Sequence, residues 1–235
     1  MCIRDSRLAD LAAYLADLRA IAQGQPPSPR WASVFLPLQG VLRSNQLPVP
    51  LLEDLLSAFA QDVEKTRDAE GYADRAELLD YCRRSANPVG RLLLHLYGVG
   101  DAQALWQSDA ICTALQLINF WQDLSVDIPR HRHYLPRADC AVHGACQAEL
   151  LALQSTRENA RLIADCADWA RTTMYSGAPL VHRLPGRAGW ELRLVVQGGL
   201  RILDKVEALK GGSLHTRPRL HAWDWVVMLG RALVM

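Results

Sequence analysis

The sequence has 235 residues, half of them hydrophobic, and a formal net charge of +1, which suits one domain with a full hydrophobic core. The near balance of charge argues against a nucleic-acid-binding protein, and no window approaches the roughly 20 uninterrupted apolar residues that a membrane span needs. The six cysteines form no CxxC pair and the N-terminus lacks a basic-then-apolar leader, so we expect a cytoplasmic protein with reduced thiols.

Helical periodicity runs along most of the chain. Residues 1–6 (MCIRDS) do not fit the helical pattern that follows, so we interpret them as a non-native segment and assign the domain to residues 7–235. Apolar residues then recur three and four apart between Gly- and Pro-rich connections. The predicted helices cover residues 7–22, 30–44, 50–65, 75–98, 102–128, 147–175, 189–209 and 220–233. No segment alternates as a strand does, so the sequence predicts an all-α fold, a single helical bundle around a central cavity.

The predicted helix at residues 75–98 combines a polar face with a kink. Tyr81 and Arg84 share one face of it, and the Asn-Pro pair that follows is expected to bend the helix and free backbone groups for a ligand. Arg84 is a candidate for binding a diphosphate, and Gly90 would allow a neighbouring helix or a ligand to approach closely. The alternative for Tyr81 is a buried tyrosine with a hydrogen-bonded hydroxyl.

The predicted helix at residues 102–128 carries a polar stripe on an apolar surface. At about 100° per residue, Gln116, Asn119, Asp123 and Asp127 fall on one narrow line. Ionised carboxylates on an apolar helix require a cation or a polar cavity. Since Mg²⁺ takes one or two protein carboxylates and completes its shell with substrate oxygens and water, we predict that Asp123 and Asp127 bind Mg²⁺ and that the two amides orient them. An exposed helix with solvated acids is the alternative, and helix-packing hydrogen bonds are the alternative for the amides.

Basic residues follow the stripe directly. After Pro129 the sequence reads Arg130, His131, Arg132, His133 and Tyr134. The forked guanidinium groups of the two arginines match diphosphate oxygens, although each arginine alone could simply add surface charge. The tyrosine either lines the cavity or anchors the loop by packing.

Two blocks of this sequence resemble motifs of the squalene and phytoene synthases. The run LQLINFWQDLSVDIPRHRHYLP resembles the second aspartate-rich motif of that family, and YCRRSANPVGRLLLHLYG resembles its tyrosine-bearing helix. The NFWQD and SANPVGR variants are most similar to the hydroxysqualene synthase branch of bacterial hopanoid synthesis. The resemblance implies an isoprenoid-synthase bundle, Mg²⁺-assisted ionisation of a prenyl diphosphate, and a position beside the reacting carbons for Tyr81.

The resemblance also implies a reaction. In that branch, presqualene diphosphate loses diphosphate, its cation rearranges, and water captures the cation to give hydroxysqualene. The alternatives within the family are condensation of two farnesyl diphosphates to presqualene diphosphate or squalene, and the twenty-carbon condensation to phytoene. A prenyl diphosphate is therefore the expected partner, with enzymes of the same pathway as candidate protein partners.

One motif of the family has no counterpart here. Its first aspartate-rich motif is missing, because Asp10 and Asp17 are seven residues apart, Asp62 and Asp68 are six apart, and neither pair stands in a similar context. We therefore expect the chain to lack N-terminal helices and to show little turnover on its own.

Two other features allow different interpretations. His131, His133, Cys140, His143 and Cys146 lie within sixteen residues, which would fit a zinc-stabilised helical interaction module without catalysis. The apolar C-terminal segment, with Trp223 and Trp225 near its start, is interpreted as a core helix that closes the bundle. Its alternative is a helix at a bilayer interface, which would give peripheral contact with the inner membrane.

Overall fold

The computed structural model describes residues 3–235, and within that range the fold is all-α, as predicted. Its α-helices, in chain order, are α1 (Ile3–Ala22), α2 (Ala32–Asn45), α3 (Val49–Asp68), α4 (Arg75–Ser85), α5 (Asn87–Leu96), α6 (Ala102–Gln122), α7 (Leu124–Asp127), α8 (Arg137–His143), α9 (Gln147–Leu151), α10 (Arg157–Gly177), α11 (Gly186–Ala208) and α12 (Ala222–Leu233). None of the helices in this range is long and apolar enough to cross a membrane.

Three predicted helices are interrupted. The helix predicted at 75–98 breaks at Ala86, just before the Asn-Pro pair, because proline is tolerated only in the first turn of the helix that it begins. The helix predicted at 102–128 ends at Gln122, and Asp123 has the non-helical angles φ −101° and ψ 12°. The helix predicted at 147–175 is divided into α9 and α10, and α10 starts where the Thr156 side chain accepts a hydrogen bond from the backbone of Asn159.

The chain start also differs from the expected boundary. Helix α1 begins at Ile3 rather than at residue 7, so residues 3–6 continue the helix, while residues 1 and 2 lie outside the described range. That residues 1–6 are non-native stays a prediction.

Helix α6 lies at the centre of the main hydrophobic core. Leu117 and Trp121 on α6 are completely buried, and α6 packs on α10 more extensively than any other two described helices pack together. A smaller core joins α1 and α2 through Leu18, Ile21 and Phe35, and Leu52 and Leu56 of α3 pack against it. The apolar side of α6 thus fixes the direction in which its polar stripe faces.

The C-terminal helix α12 packs on α11 through Met228 and Ala232. Its Asp224 is 2% exposed, lies 2.7 Å from the Arg201 guanidinium and 2.9 Å from the Lys205 ammonium, and accepts a hydrogen bond from the backbone of His221. This packed face agrees with a helix that closes the bundle. Trp223 and Trp225 point outward on the other face, and peripheral membrane contact stays a prediction.

Close packing of α5 on α6 depends on Gly90. A Cβ atom at this position would overlap Ser108 Oγ and Cys112 Sγ. We expect Gly90→Ala to lower the free energy of unfolding by about 1–3 kcal/mol in urea titrations, which is the usual cost of overpacking. Gly40→Ala is the matched control, because Gly40 also lies in a helix but has open space around its Cα. This control should raise the free energy of unfolding by about 0.5–1 kcal/mol, and equal effects of the two changes would contradict the packing role.

Candidate active site

Four buried aromatic rings bring the two sequence blocks together. We call Tyr72, Tyr81, Phe120 and Tyr134 the aromatic cluster. Tyr134 stacks on Phe120 with a centroid distance of 3.8 Å and an interplanar angle of 11°. Tyr81 lies 6.2 Å from Phe120 and 6.4 Å from Tyr134, centroid to centroid. The cluster therefore brings together three parts of the chain: α4 through Tyr81, α6 through Phe120, and the loop after α7 through Tyr134.

Asp62 of α3 also contacts the aromatic cluster, although no motif in the sequence identified it. The Tyr81 hydroxyl donates a hydrogen bond to Asp62 Oδ2 at 2.7 Å. Burial raises the pKa of Asp62, and the hydrogen bond from Tyr81 and the charge of Arg132 offset this only in part. A usable signal was that Asp62 lies one turn after the fully buried Ala58, on the packed side of an amphipathic helix.

Asp127 faces the same region. Its side chain is 14% exposed and lies 3.9 Å from the Arg132 guanidinium. Burial raises the pKa of Asp127 despite the arginine, and the negative charges of Asp123 and Asp62 add to this rise. Two acids from different helices, Asp62 and Asp127, thus share one electrostatic environment beside the aromatic cluster.

Asp123 lies at the break between α6 and α7 and has its own cationic partner. Both of its oxygens contact the Arg217 guanidinium, with Arg217 Nη2 at 3.1 Å from Oδ2. The neighbouring Gln122 side chain donates to the Pro218 carbonyl at 2.7 Å, which fixes the same segment. Sequence patterns could not identify Arg217, because it is remote along the chain from the acid that it pairs with.

The other predicted site residues lie around this centre. Gln116 is half-buried and Asn119 is exposed, so the polar stripe continues onto an open part of α6. Arg130 and Arg132 are exposed beside Asp127. Arg84 is half-buried between α3 and α4, where it donates to Asp80 at 3.0 Å and to Gln61. The structure therefore holds Arg84 by groups outside the stripe.

An apolar cavity of about 320 Å³ lies between α5, α6 and α11, and its lining includes Gly90, Leu115 and Leu192. No residue of the polar stripe and no ring of the aromatic cluster lines this cavity. Leu115 directly precedes Gln116, but consecutive helical residues point about 100° apart, so the cavity and the stripe lie on different faces of α6. Gly90 thus serves both the packing of α5 and the shape of this cavity.

The zinc-site prediction is wrong. Cys146 is exposed, and His143 Nε2 instead lies 3.3 Å from an oxygen of Asp165. Within residues 3–235, no group of three or more His, Cys, Asp or Glu side chains is placed to hold a metal ion. Asp123 and Asp127 together would provide two carboxylate ligands and no nitrogen or sulfur ligand. This fits Mg²⁺, which takes one or two protein carboxylates and draws its other oxygens from substrate and water.

Comparison with known proteins identifies the family. The family model described as squalene/phytoene synthase matches residues 3–224. The chain belongs to the squalene/phytoene synthase family. It is 34% identical over 186 residues to the hydroxysqualene synthase of Sinorhizobium fredii, an alignment that covers 78% of this chain and 61% of that protein. It is 31% identical over 194 residues to the hydroxysqualene synthase of Rhodopseudomonas palustris, covering 81% of this chain and 62% of the relative.

The fold comparison agrees with this assignment. The chain is similar to the crystal structure of squalene synthase HpnC from Alicyclobacillus acidocaldarius, with a TM-score of 0.79 and 35% identity over 87% of this chain and 74% of that one. The chain spans about three fifths of the length of the two curated relatives. Its relatives are synthases of the isoprenoid type, and the bundle seen here has the fold of that family.

Removal of the charge should change the Tm in opposite directions at Asp127 and at Asp224. Asp127→Asn is expected to raise the Tm at pH 7, because burial raises the pKa of this acid and its ionised form therefore destabilises the folded state. The gain should disappear as the pH falls below about 4, where the carboxyl is protonated both folded and unfolded. Thermal unfolding followed by circular dichroism across this pH range measures the effect.

Asp224→Asn is the matched control. The Asp224 carboxylate accepts hydrogen bonds from Lys205, from the backbone of His221 and from Arg201, and these lower its pKa. Its ionised form therefore stabilises the fold. This variant should lower the Tm at neutral pH, with a deficit that shrinks as acid protonates the wild-type carboxyl. A lowered Tm in both variants would show that Asp127 is structural.

Proposed function

We propose that the protein carrying this chain converts presqualene diphosphate to hydroxysqualene. The observation that carries the proposal is the meeting of Tyr81, Asp127 and the arginine-bearing loop around one aromatic cluster. The similarity to two hydroxysqualene synthases supports this reaction over the other reactions of the family.

Departure of the diphosphate requires neutralisation of its charge. Asp123 and Asp127 would hold Mg²⁺, which supplies Lewis-acid stabilisation of the leaving oxygens. Arg130 and Arg132 are exposed next to Asp127 and provide guanidinium donors for the outer oxygens. Gln116 and Asn119 continue the stripe and would orient the carboxylates or water bound near them. Arg84 would act from the α3–α4 side, after exchange of its present partners.

The carbocation that remains needs an environment that is electron-rich and largely dry. The faces of Tyr81 and Tyr134 attract a cation through their ring quadrupoles, and these rings are almost completely buried. The cavity lined by Gly90 and Leu115 is apolar and large enough for part of an isoprenoid chain. Capture by a single water, with loss of one of its protons to the released diphosphate, would then give the alcohol.

Product analysis tests the proposal. The protein, both as this chain and extended upstream along its gene, is incubated with presqualene diphosphate in Mg²⁺ or in EDTA, and products are identified by mass spectrometry. We expect hydroxysqualene only with Mg²⁺, and a loss of at least about 10²-fold in kcat for Asp123→Asn and for Asp127→Asn because diphosphate charge is then less well neutralised. Asp168→Asn, an exposed acid on α10, is the control and should retain full activity.

Parallel reactions with farnesyl diphosphate and geranylgeranyl diphosphate distinguish the alternatives. Formation of presqualene diphosphate, squalene or phytoene, without conversion of presqualene diphosphate, would overturn the proposed reaction. Full activity in EDTA would overturn the metal role of Asp123 and Asp127.

A further inference from the structure

Asp62 is an acid that the proposed reaction does not use. It comes from α3, outside both sequence blocks, yet its carboxylate lies against the hydroxyl of Tyr81. Most buried acids are paired with a cation, as Asp224 is with Arg201 and Lys205. In the described structure Asp62 instead accepts a hydrogen bond from the phenol of Tyr81, and the positive charge that acts on Asp62 is that of Arg132.

The direction of this hydrogen bond determines what Tyr81 can do. A phenol has one proton, and here the proton points at Asp62 Oδ2, 2.7 Å away. The Tyr81 oxygen also has a hydrogen-bond contact with the Tyr134 side chain, which leaves one of its two lone pairs available. Burial and the charge of Asp62 raise the pKa of Tyr81, so the phenol keeps its proton at neutral pH. Tyr81 is thus presented as a neutral hydrogen-bond acceptor.

The charge of Asp62 has a second effect on the cluster. Tyr72, Tyr81 and Tyr134 all lie within the field of this carboxylate. A negative group at the hydroxyl end of Tyr81, in a region of low polarity, makes the surroundings of the rings more favourable for a cation. Asp62 therefore acts through the rings and does not need to touch the substrate.

We infer that Asp62 is a positioning residue that holds the hydroxyl proton of Tyr81 away from the reacting carbons, so that the Tyr81 oxygen faces the carbocation and the water that captures it. This inference rests on the proposed function. It concerns an acid on α3 rather than the acids of the stripe.

Four variants test the inference in the assay with presqualene diphosphate: Asp62→Asn, Asp62→Ala, Tyr81→Phe and the Asp62→Asn/Tyr81→Phe double variant. We expect Asp62→Ala and Tyr81→Phe to lower kcat by about 10²-fold with little change in KM, because a misoriented group near the reacting atoms affects the transition state more than binding. Asp62→Asn should lower kcat less, because its amide oxygen can still accept the Tyr81 proton although the charge is lost. The double variant should be no slower than Tyr81→Phe, because the two residues act as one unit. Glu64→Gln, an exposed acid on the same helix, is the control and should match wild type.

Thermal unfolding separates positioning from structure. Burial raises the pKa of Asp62, so neutralisation in Asp62→Asn should leave the Tm unchanged or raise it while kcat falls. A Tm that falls together with kcat, an additive double variant, or a wild-type kcat in Asp62→Ala would overturn the inference. If the wild-type protein makes no hydroxysqualene from presqualene diphosphate, both as this chain and extended upstream along its gene, it is the proposed function that fails.

Discussion

The removal of carboxylates from water is the constraint on which this structure depends. Helix α6 must be apolar to pack against α10, and yet the segment at its end carries acids that face inward. Asp123 meets this constraint with Arg217, and Asp224 meets it with Arg201 and Lys205. Asp62 and Asp127 do not gain enough from their neighbours, and burial raises the pKa of both. Such uncompensated acids mark places where a fold gives up stability for chemistry.

The position of these acids follows from packing of the surrounding helices. The fully buried Leu117 and Trp121 orient α6, and after the interruption at Asp123 the chain places Asp127 beside Tyr134 of the aromatic cluster. Tyr81 is brought there by α4, whose rotation is fixed by the buried Leu78 and Cys82. The aromatic rings belong to the main hydrophobic core, so the acids lie at its edge.

Much of this organisation could be predicted from the sequence, because helical periodicity and the two motif blocks are local patterns. The predicted stripe contained Asp123 and Asp127, and the predicted face of α4 contained Tyr81. The interruption at Asp123 was not predicted, since no glycine or proline precedes it and the break follows from tertiary contacts. Asp62 and Arg217 were missed for a related reason. Asp62 had only the weak signal of its place one turn after Ala58. Arg217 is identified only by a partner far away along the chain, and a single sequence contains no signal for such a pair.

The contact between Arg217 and Asp123 links the acid at the end of α6 to the segment that leads into α12. Arg217 and Pro218 are both held there, one by the carboxylate and the other by the Gln122 side chain. Any cation that arrives at Asp123 must compete with a guanidinium group already in place. Ligand affinity at this carboxylate consequently includes the free energy of that exchange, and the released arginine becomes a positive group beside whatever anion accompanies the incoming cation.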